Sequence, residues 1–170
     1  FIFFFISEIY KILKLLKNGG NTIIKIYDIY SKNSIKLIYI LSLFFNNIYI
    51  LKPFTSRPAN SEKYILCNDY YNNNDIKLSN IIENLKKIII EKKLELLEND
   101  NISIPYNFLK EIYNYNKWYT KRQIKYINKT IDLIETTTNE NKNDILTNIY
   151  NSNKKKCIEW CKNYNIKYRE

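Results

Sequence analysis

The stretch Lys52-Pro53-Phe54-Thr55-Ser56-Arg57-Pro58-Ala59-Asn60-Ser61-Glu62-Lys63-Tyr64-Ile65-Leu66-Cys67 decides how the chain is read. It leaves one apolar run, crosses a polar loop and enters a second apolar run. Pro53 and Pro58 fix the backbone and exclude helix from the loop. From Ser61 onward the residues alternate. Glu62, Tyr64 and Leu66 share one strand face, and Lys63, Ile65 and Cys67 share the other. A carboxylate beside Tyr64 and Leu66 gives up hydration and calls for a partner. That partner is either a neighbouring Lys or Arg in a plain strand-entry ion pair, or part of a functional site. Spacing alone leaves both open.

Upstream of this stretch, Ile48 to Leu51 reads as a short strand, so the loop joins two strands closely enough for an antiparallel hairpin. Ser34 to Phe45 is apolar almost all round and predicts a buried helix, with Ser31 as its cap and Asn46-Asn47 as its end. Asn21 to Tyr27 reads as a nearly continuous apolar strand of the buried parallel type, with Lys25 inside it. Before it, Ile6, Ile9, Tyr10, Leu13 and Leu16 recur at helical spacing over Phe5 to Lys17, and Asn18-Gly19-Gly20 stops the helix. The long connection between the first two strands favours parallel pairing. The order helix, strand, helix, strand, strand predicts an α/β fold, the back half of a doubly wound sheet ending in a hairpin.

Downstream the character changes. Asn68 to Asp75 is a polar linker centred on Asn72-Asn73-Asn74. Ile76 to Glu98 predicts a long amphipathic helix, broken by Asn99-Asp100-Asn101. Pro105 starts a short helix through Tyr115. Thr120 to Glu135 and Asp144 to Tyr164 predict further helices around a polar loop, Thr136 to Asn143. No strand signal follows Cys67. Residues 1–70 are therefore expected to form the α/β part and residues 71–170 an all-helical extension.

Composition narrows the function classes. The chain has 170 residues and a net charge of +10, which suits an anionic partner such as RNA, although codon bias toward Lys weakens that argument. It has no Met and begins at Phe1 inside an apolar run, so it reads as a piece of a longer protein, truncated at its N-terminus. Phe1 to Ile6 is too short to span a bilayer and lacks the basic start of a signal peptide, so no stable membrane insertion is expected and the run reads as the buried start of a helix. There are three Cys and no His. Cys157 and Cys161 sit one helical turn apart, but nothing completes a metal site with them. Reduced structural thiols and an intracellular setting, nuclear or cytoplasmic, are expected.

Lys25 is the second residue with chemical interest. A Lys inside a buried strand loses hydration, which lowers its pKa and favours the neutral amine, a competent proton acceptor. The alternative is a Lys that snorkels out at a strand end. Tyr27 and Asp28 follow at the C-terminal strand end, where open α/β sheets place ligands. The run Lys154-Lys155-Lys156 reads as a solvated helix face rather than an RNA patch.

The stretch "KPFTSRPANSEKYILC" resembles the C-terminal signature of FtsJ-like ribose 2'-O-methyltransferases, above all the cap-specific mRNA enzymes. "LLKNGGNTIIKIYD" is similar to that family's strand carrying a catalytic lysine after a Gly-Gly turn. "SIKLIYILSLFFNNIYILKP" resembles the helix and strand before the signature. "IPYNFLKEIYNYNKWYTKRQIKYINKTIDLIE" and "KKKCIEWCKNYNI" resemble the helical extension after it. The resemblance implies the C-terminal half of a Rossmann-like methyltransferase sheet followed by that extension. It implies methyl transfer from S-adenosylmethionine to a ribose 2'-oxygen, on the first transcribed nucleotide of capped mRNA. Lys25 and Glu62 match the third and fourth members of a Lys-Asp-Lys-Glu set. Lys25 would assist deprotonation of the hydroxyl, and Glu62 would hold the lysines in place. Lys52 and Arg57 either meet RNA phosphates near the cap or form a structural ion pair or a solvated loop, and Asn60 and Ser61 either cap the loop or contact ribose, with Ser56 on the substrate side. The Gly-rich cofactor loop, the acidic ribose ligand, the first Lys and the Asp of the set have no place in the chain, so cofactor binding is expected upstream of Phe1 and the isolated chain is expected to be inactive. Other members of the wider family modify ribosomal or transfer RNA. A non-catalytic RNA-binding or scaffolding remnant, or a basic helical interaction module, are the competing readings.

Overall fold

The computed structural model describes residues 1–53, 55–72, 75–98 and 102–168. The centres of two expected polar breaks, Asn73-Asn74 and Asn99-Asp100-Asn101, lie outside the described residues. Among the described residues the elements are α1 (Ile2–Leu15), β1 (Thr22–Ile26), α2 (Lys32–Ser42), β2 (Phe45–Leu51), β3 (Lys63–Tyr70), α3 (Ile76–Glu91), α4 (Glu95–Glu98), α5 (Tyr106–Thr136) and α6 (Lys142–Asn163).

The sheet has the order β1-β3-β2, and β3 runs antiparallel to both neighbours. The expected hairpin of β2 and β3 is present, from Phe45↔Tyr70 to Leu51↔Tyr64. The expected parallel pairing of the first two strands is not. β1 and β2 point the same way, but β3 inserts between them. β1 also departs from a strand buried on both faces. Ile24 and Ile26 are buried, whereas Ile23 on the opposite face is 66% exposed. Its apolar run therefore masked a one-sided, antiparallel strand.

Local chemistry places the ends of the elements. Gly19 takes φ +82°, the left-handed turn that Asn18-Gly19-Gly20 promised, and its N–H donates to Tyr70 O at 2.7 Å. The Tyr70 hydroxyl donates to Leu13 O at 2.8 Å, so β3 is tied to the last turn of α1. Ser31 caps α2 by accepting from Ser34 N at 3.1 Å, as expected. Asp75 caps α3 by accepting from Lys77 N at 2.7 Å. Lys92, in the left-handed conformation, closes α3 early and leaves Glu95–Glu98 as a separate turn, where one long helix was expected. The reverse occurs at α5. Two helices were expected, yet a single one of 31 residues forms, because no Pro or Gly interrupts Asn116 to Tyr119.

The residues group into two compact units, Phe1–Lys52 with Ser61–Tyr119, and Pro53–Asn60 with Thr120–Glu170. In the first, Phe5, Ile6 and Ile9 of α1, Ile24 and Ile26 of β1, Leu37 and Leu41 of α2 and Ile65 of β3 form the core. The first residues of α1 are amphipathic rather than uniformly buried: Phe5 and Ile6 face the core, while Phe1, Phe3 and Phe4 are exposed. In the second unit, Thr138 and Asn141 bond reciprocally at the turn before α6, and α6 buries none of its residues. Lys154, Lys155 and Lys156 are exposed on it. No helix among the described residues is long and apolar enough to cross a membrane.

Candidate functional site

Strand pairing builds the site. Lys25 of β1 stands opposite Tyr64 of β3, and their side chains share the sheet face away from the core. Glu62 lies two residues before Tyr64, so the alternation puts it on that same face. Lys25 Nζ meets Glu62 Oε2 at 2.7 Å, and the Tyr64 hydroxyl donates to Glu62 Oε1 at 2.9 Å. The carboxylate thus has a partner on each oxygen. Its side chain is 20% exposed and that of Lys25 is 46% exposed, so the pair lies at the surface with one open side.

The electrostatics follow from these contacts. Hydrogen bonds from Lys25 and then Tyr64 hold the Glu62 carboxyl below the usual carboxylate range. The same Glu62 contact raises the Lys25 ammonium above its ordinary value. It also pushes the Tyr64 phenol up. This corrects the expectation of a neutral Lys25. The argument required a buried strand, but Lys25 is on the exposed face and a carboxylate touches it. Lys25 is a charged ammonium at neutral pH.

The depressed lysine is Lys63, the next residue along. It is fully buried, and burial pushes its ammonium down to about 8. Lys63 Nζ donates to Tyr27 O at 2.7 Å and to Ser61 O at 2.9 Å, and it lies 4.1 Å from the centre of the Tyr119 ring. Lys63 and Tyr119 escaped the sequence reading as site residues. A signal existed for Lys63, since the alternation placed it on the inner face with Ile65 and Cys67. Nothing local signalled Tyr119.

Of the other expected site residues, Lys52 Nζ donates to the backbone carbonyl of Glu62 at 2.8 Å and lies 5.6 Å from the Tyr119 ring centre. Ser61 contributes its carbonyl to Lys63. Ser56, Arg57 and Asn60 belong to the second unit. There Ser56 N donates to Pro53 O at 3.0 Å, Asn60 N donates to Arg57 O at 3.3 Å, and the Arg57 side chain is exposed. Asp28 is exposed just beyond β1.

The Gly-Gly turn does not fit S-adenosylmethionine. The single Gly-Gly turn is closed against its own helix: a Cβ on Gly20 would lie 2.7 Å from Leu16 Cγ, so there is no cradle for a ligand there. No group of described residues could hold a metal ion. Cys67 is buried, which pushes its thiol up to about 12, while Cys157 is exposed.

The chain is 32% identical over 122 residues to cap-specific mRNA (nucleoside-2'-O-)-methyltransferase 1 of Dictyostelium discoideum, covering 71% of the chain and 16% of that protein. It is 34% identical over 128 residues to methyltransferase 1A of the same description from Caenorhabditis briggsae, covering 69% of the chain and 14% of that protein. A second Caenorhabditis briggsae relative, named an inactive methyltransferase 1B of that type, is 31% identical over 131 residues, covering 69% of the chain and 15% of that protein. The chain thus spans between 14% and 16% of the length of these relatives. A relative named inactive is about as similar as relatives not so named, so the residues of the site have to carry any functional reading. The family model for FtsJ-like methyltransferases matches residues 7–70, the span that contains Lys25, Glu62 and Lys63, and this part of the chain belongs to the FtsJ-like methyltransferase family.

Proposed function

We propose that the chain supplies the Lys-Glu half of an RNA ribose 2'-O-methyltransferase site, with capped mRNA as substrate. The observation that carries this reading is the Lys25–Glu62 contact of 2.7 Å on an open sheet face inside the matching span. Its sheet would be the C-terminal part of a Rossmann-like methyltransferase sheet, with α2 as the crossover between two strands that point the same way. The methyl donor of such a reaction is S-adenosylmethionine.

The chemistry open to this chain's own residues is electrostatic. As a ribose hydroxyl passes its proton to solvent water, negative charge grows on the 2'-oxygen. An ammonium held at a fixed place stabilises that charge. Lys25 carries the ammonium, and Glu62 and Tyr64 direct it. Because Glu62 raises Lys25, the residue works as a cation and hydrogen-bond donor rather than as the resting proton acceptor. Within the same unit, Lys52 serves the phosphates beside the ribose and Ser61 its polar edge. The inactive relative keeps a second reading in play, an RNA-binding segment without turnover.

The substrate is tested by grafting residues 7–70 into the matching span of the Dictyostelium discoideum relative and following labelled methyl transfer to capped RNA. Transfer is expected to RNA with a 2'-hydroxyl on the first nucleotide and not to its 2'-deoxy counterpart. Equal transfer to both would refute the ribose assignment. A folded graft that binds capped RNA without turnover would favour the second reading.

A further inference from the structure

The backbone ladder between β1 and β3 ends at the pair Ile26↔Lys63. The residues that matter to the site sit around and beyond that end: Tyr27 follows β1 two residues after Lys25, and Ser61 immediately precedes Glu62. The Lys63 side chain takes over where the ladder stops. Its one ammonium holds the Tyr27 carbonyl at 2.7 Å and the Ser61 carbonyl at 2.9 Å. Lys63 is fully buried, and Tyr119 of α5 covers it at 4.1 Å. Buried ammonium groups persist only where such partners surround them. The charges around it are Asp28 beyond β1 and Lys52 at the end of β2. Lys52 clamps the next carbonyl, that of Glu62, at 2.8 Å.

We infer that Lys63 is a positioning residue. It ties the β1 exit to the β3 entry from the core side, under the Tyr119 ring, and so fixes the distance between Lys25 and Glu62 on the opposite face. This rests on the reading of Lys25 and Glu62 as a working pair. It assigns a role to a residue outside that pair, which faces the core and touches no substrate.

The test reads the two partners directly by NMR titration of the Glu62 carboxyl and the Lys25 ammonium, in the 170-residue chain and in Lys63→Met. If Lys63 positions the pair, its loss separates them: Glu62 titrates at higher pH and Lys25 at lower pH. Loss of a nearby positive charge acting only through space would raise both, because each proton would bind in a less positive field. A purely structural Lys63 would change stability and move neither titration. Either of those outcomes overturns the inference. Should Lys63→Met not fold, Tyr119→Leu removes the cover without changing any charge. The same opposite shifts are then expected, smaller in size, and unmoved titrations would overturn the inference. Neither readout uses methyl transfer. Opposite shifts in Lys63→Met beside a graft that transfers no methyl to capped RNA would sink the functional reading and leave the positioning claim standing, whereas unmoved titrations overturn the positioning claim whatever the turnover.

Discussion

Replacing Lys63 with methionine removes an ammonium from the interior and keeps most of the side-chain volume. Three effects compete. The Tyr27 and Ser61 carbonyls lose their donor, at about 1–3 kcal/mol each for acceptors left unmade. The ring contact with Tyr119 is lost, about 2 kcal/mol for a desolvated pair. Against these, the variant no longer buries a charge. Lys63 titrates at about 8 instead of 10.5, which puts that relief at about 3 kcal/mol. The balance is a loss of about 3 kcal/mol. In a urea titration of the 170-residue chain this lowers the midpoint by on the order of 1.5 M. The sign of the pH dependence follows from the depressed pKa. Between about 8 and 10.5 the unfolded chain binds the proton that folded Lys63 has released. Stability of the parent over the variant therefore widens as pH rises through that window. The neutral amine still has N–H groups for both carbonyls. A variant as stable as the parent at pH 7, or more stable, would refute the reasoning, since it would mean the two carbonyls do not depend on Lys63.

Glu62→Gln removes the carboxylate that raises Lys25, so the Lys25 ammonium is expected to titrate lower by NMR. Because Glu62 is held below its ordinary pKa, its contribution is complete above that ordinary value and fades as pH falls through the folded one. Melting curves of parent and Glu62→Gln should therefore converge in acid, and a gap constant with pH would contradict this. Cys67, buried and with its thiol pushed up to about 12, should resist a thiol reagent at pH 8 until the chain unfolds, while exposed Cys157 reacts at once. Fast labelling of Cys67 in the folded chain would show that β3 opens locally.

The hairpin and the face of Glu62 were legible because a strand's period of two is a local property. The ends of α1 and α2 were legible for the same reason, since Gly19 and Ser31 act on their immediate neighbours. What failed was burial. Ile23, Ile24 and Ile26 are all apolar, and only the inserted position of β3 and one uncovered sheet face decide that Ile23 is exposed and Lys25 reaches Glu62. Sheet order is a tertiary fact that the spacing of one strand does not contain. Lys63 was half legible: its inward parity stood in the sequence, but the Tyr119 ring that lies over it comes from far along the chain. Likewise, only the absence of a breaker from Asn116 to Tyr119 signalled that α5 continues past Tyr115. The pairing of Lys25 with Glu62 as a site came from family resemblance, and the sheet register supplies its geometry.

The central claim is that Lys25, held by Glu62, serves the ribose 2'-oxygen. Its most direct test compares the grafted relative with and without Lys25→Met, measuring turnover on capped RNA and RNA binding side by side. The account predicts that turnover is lost while the fold and RNA affinity are kept. Undiminished turnover in the Lys25→Met graft would contradict it.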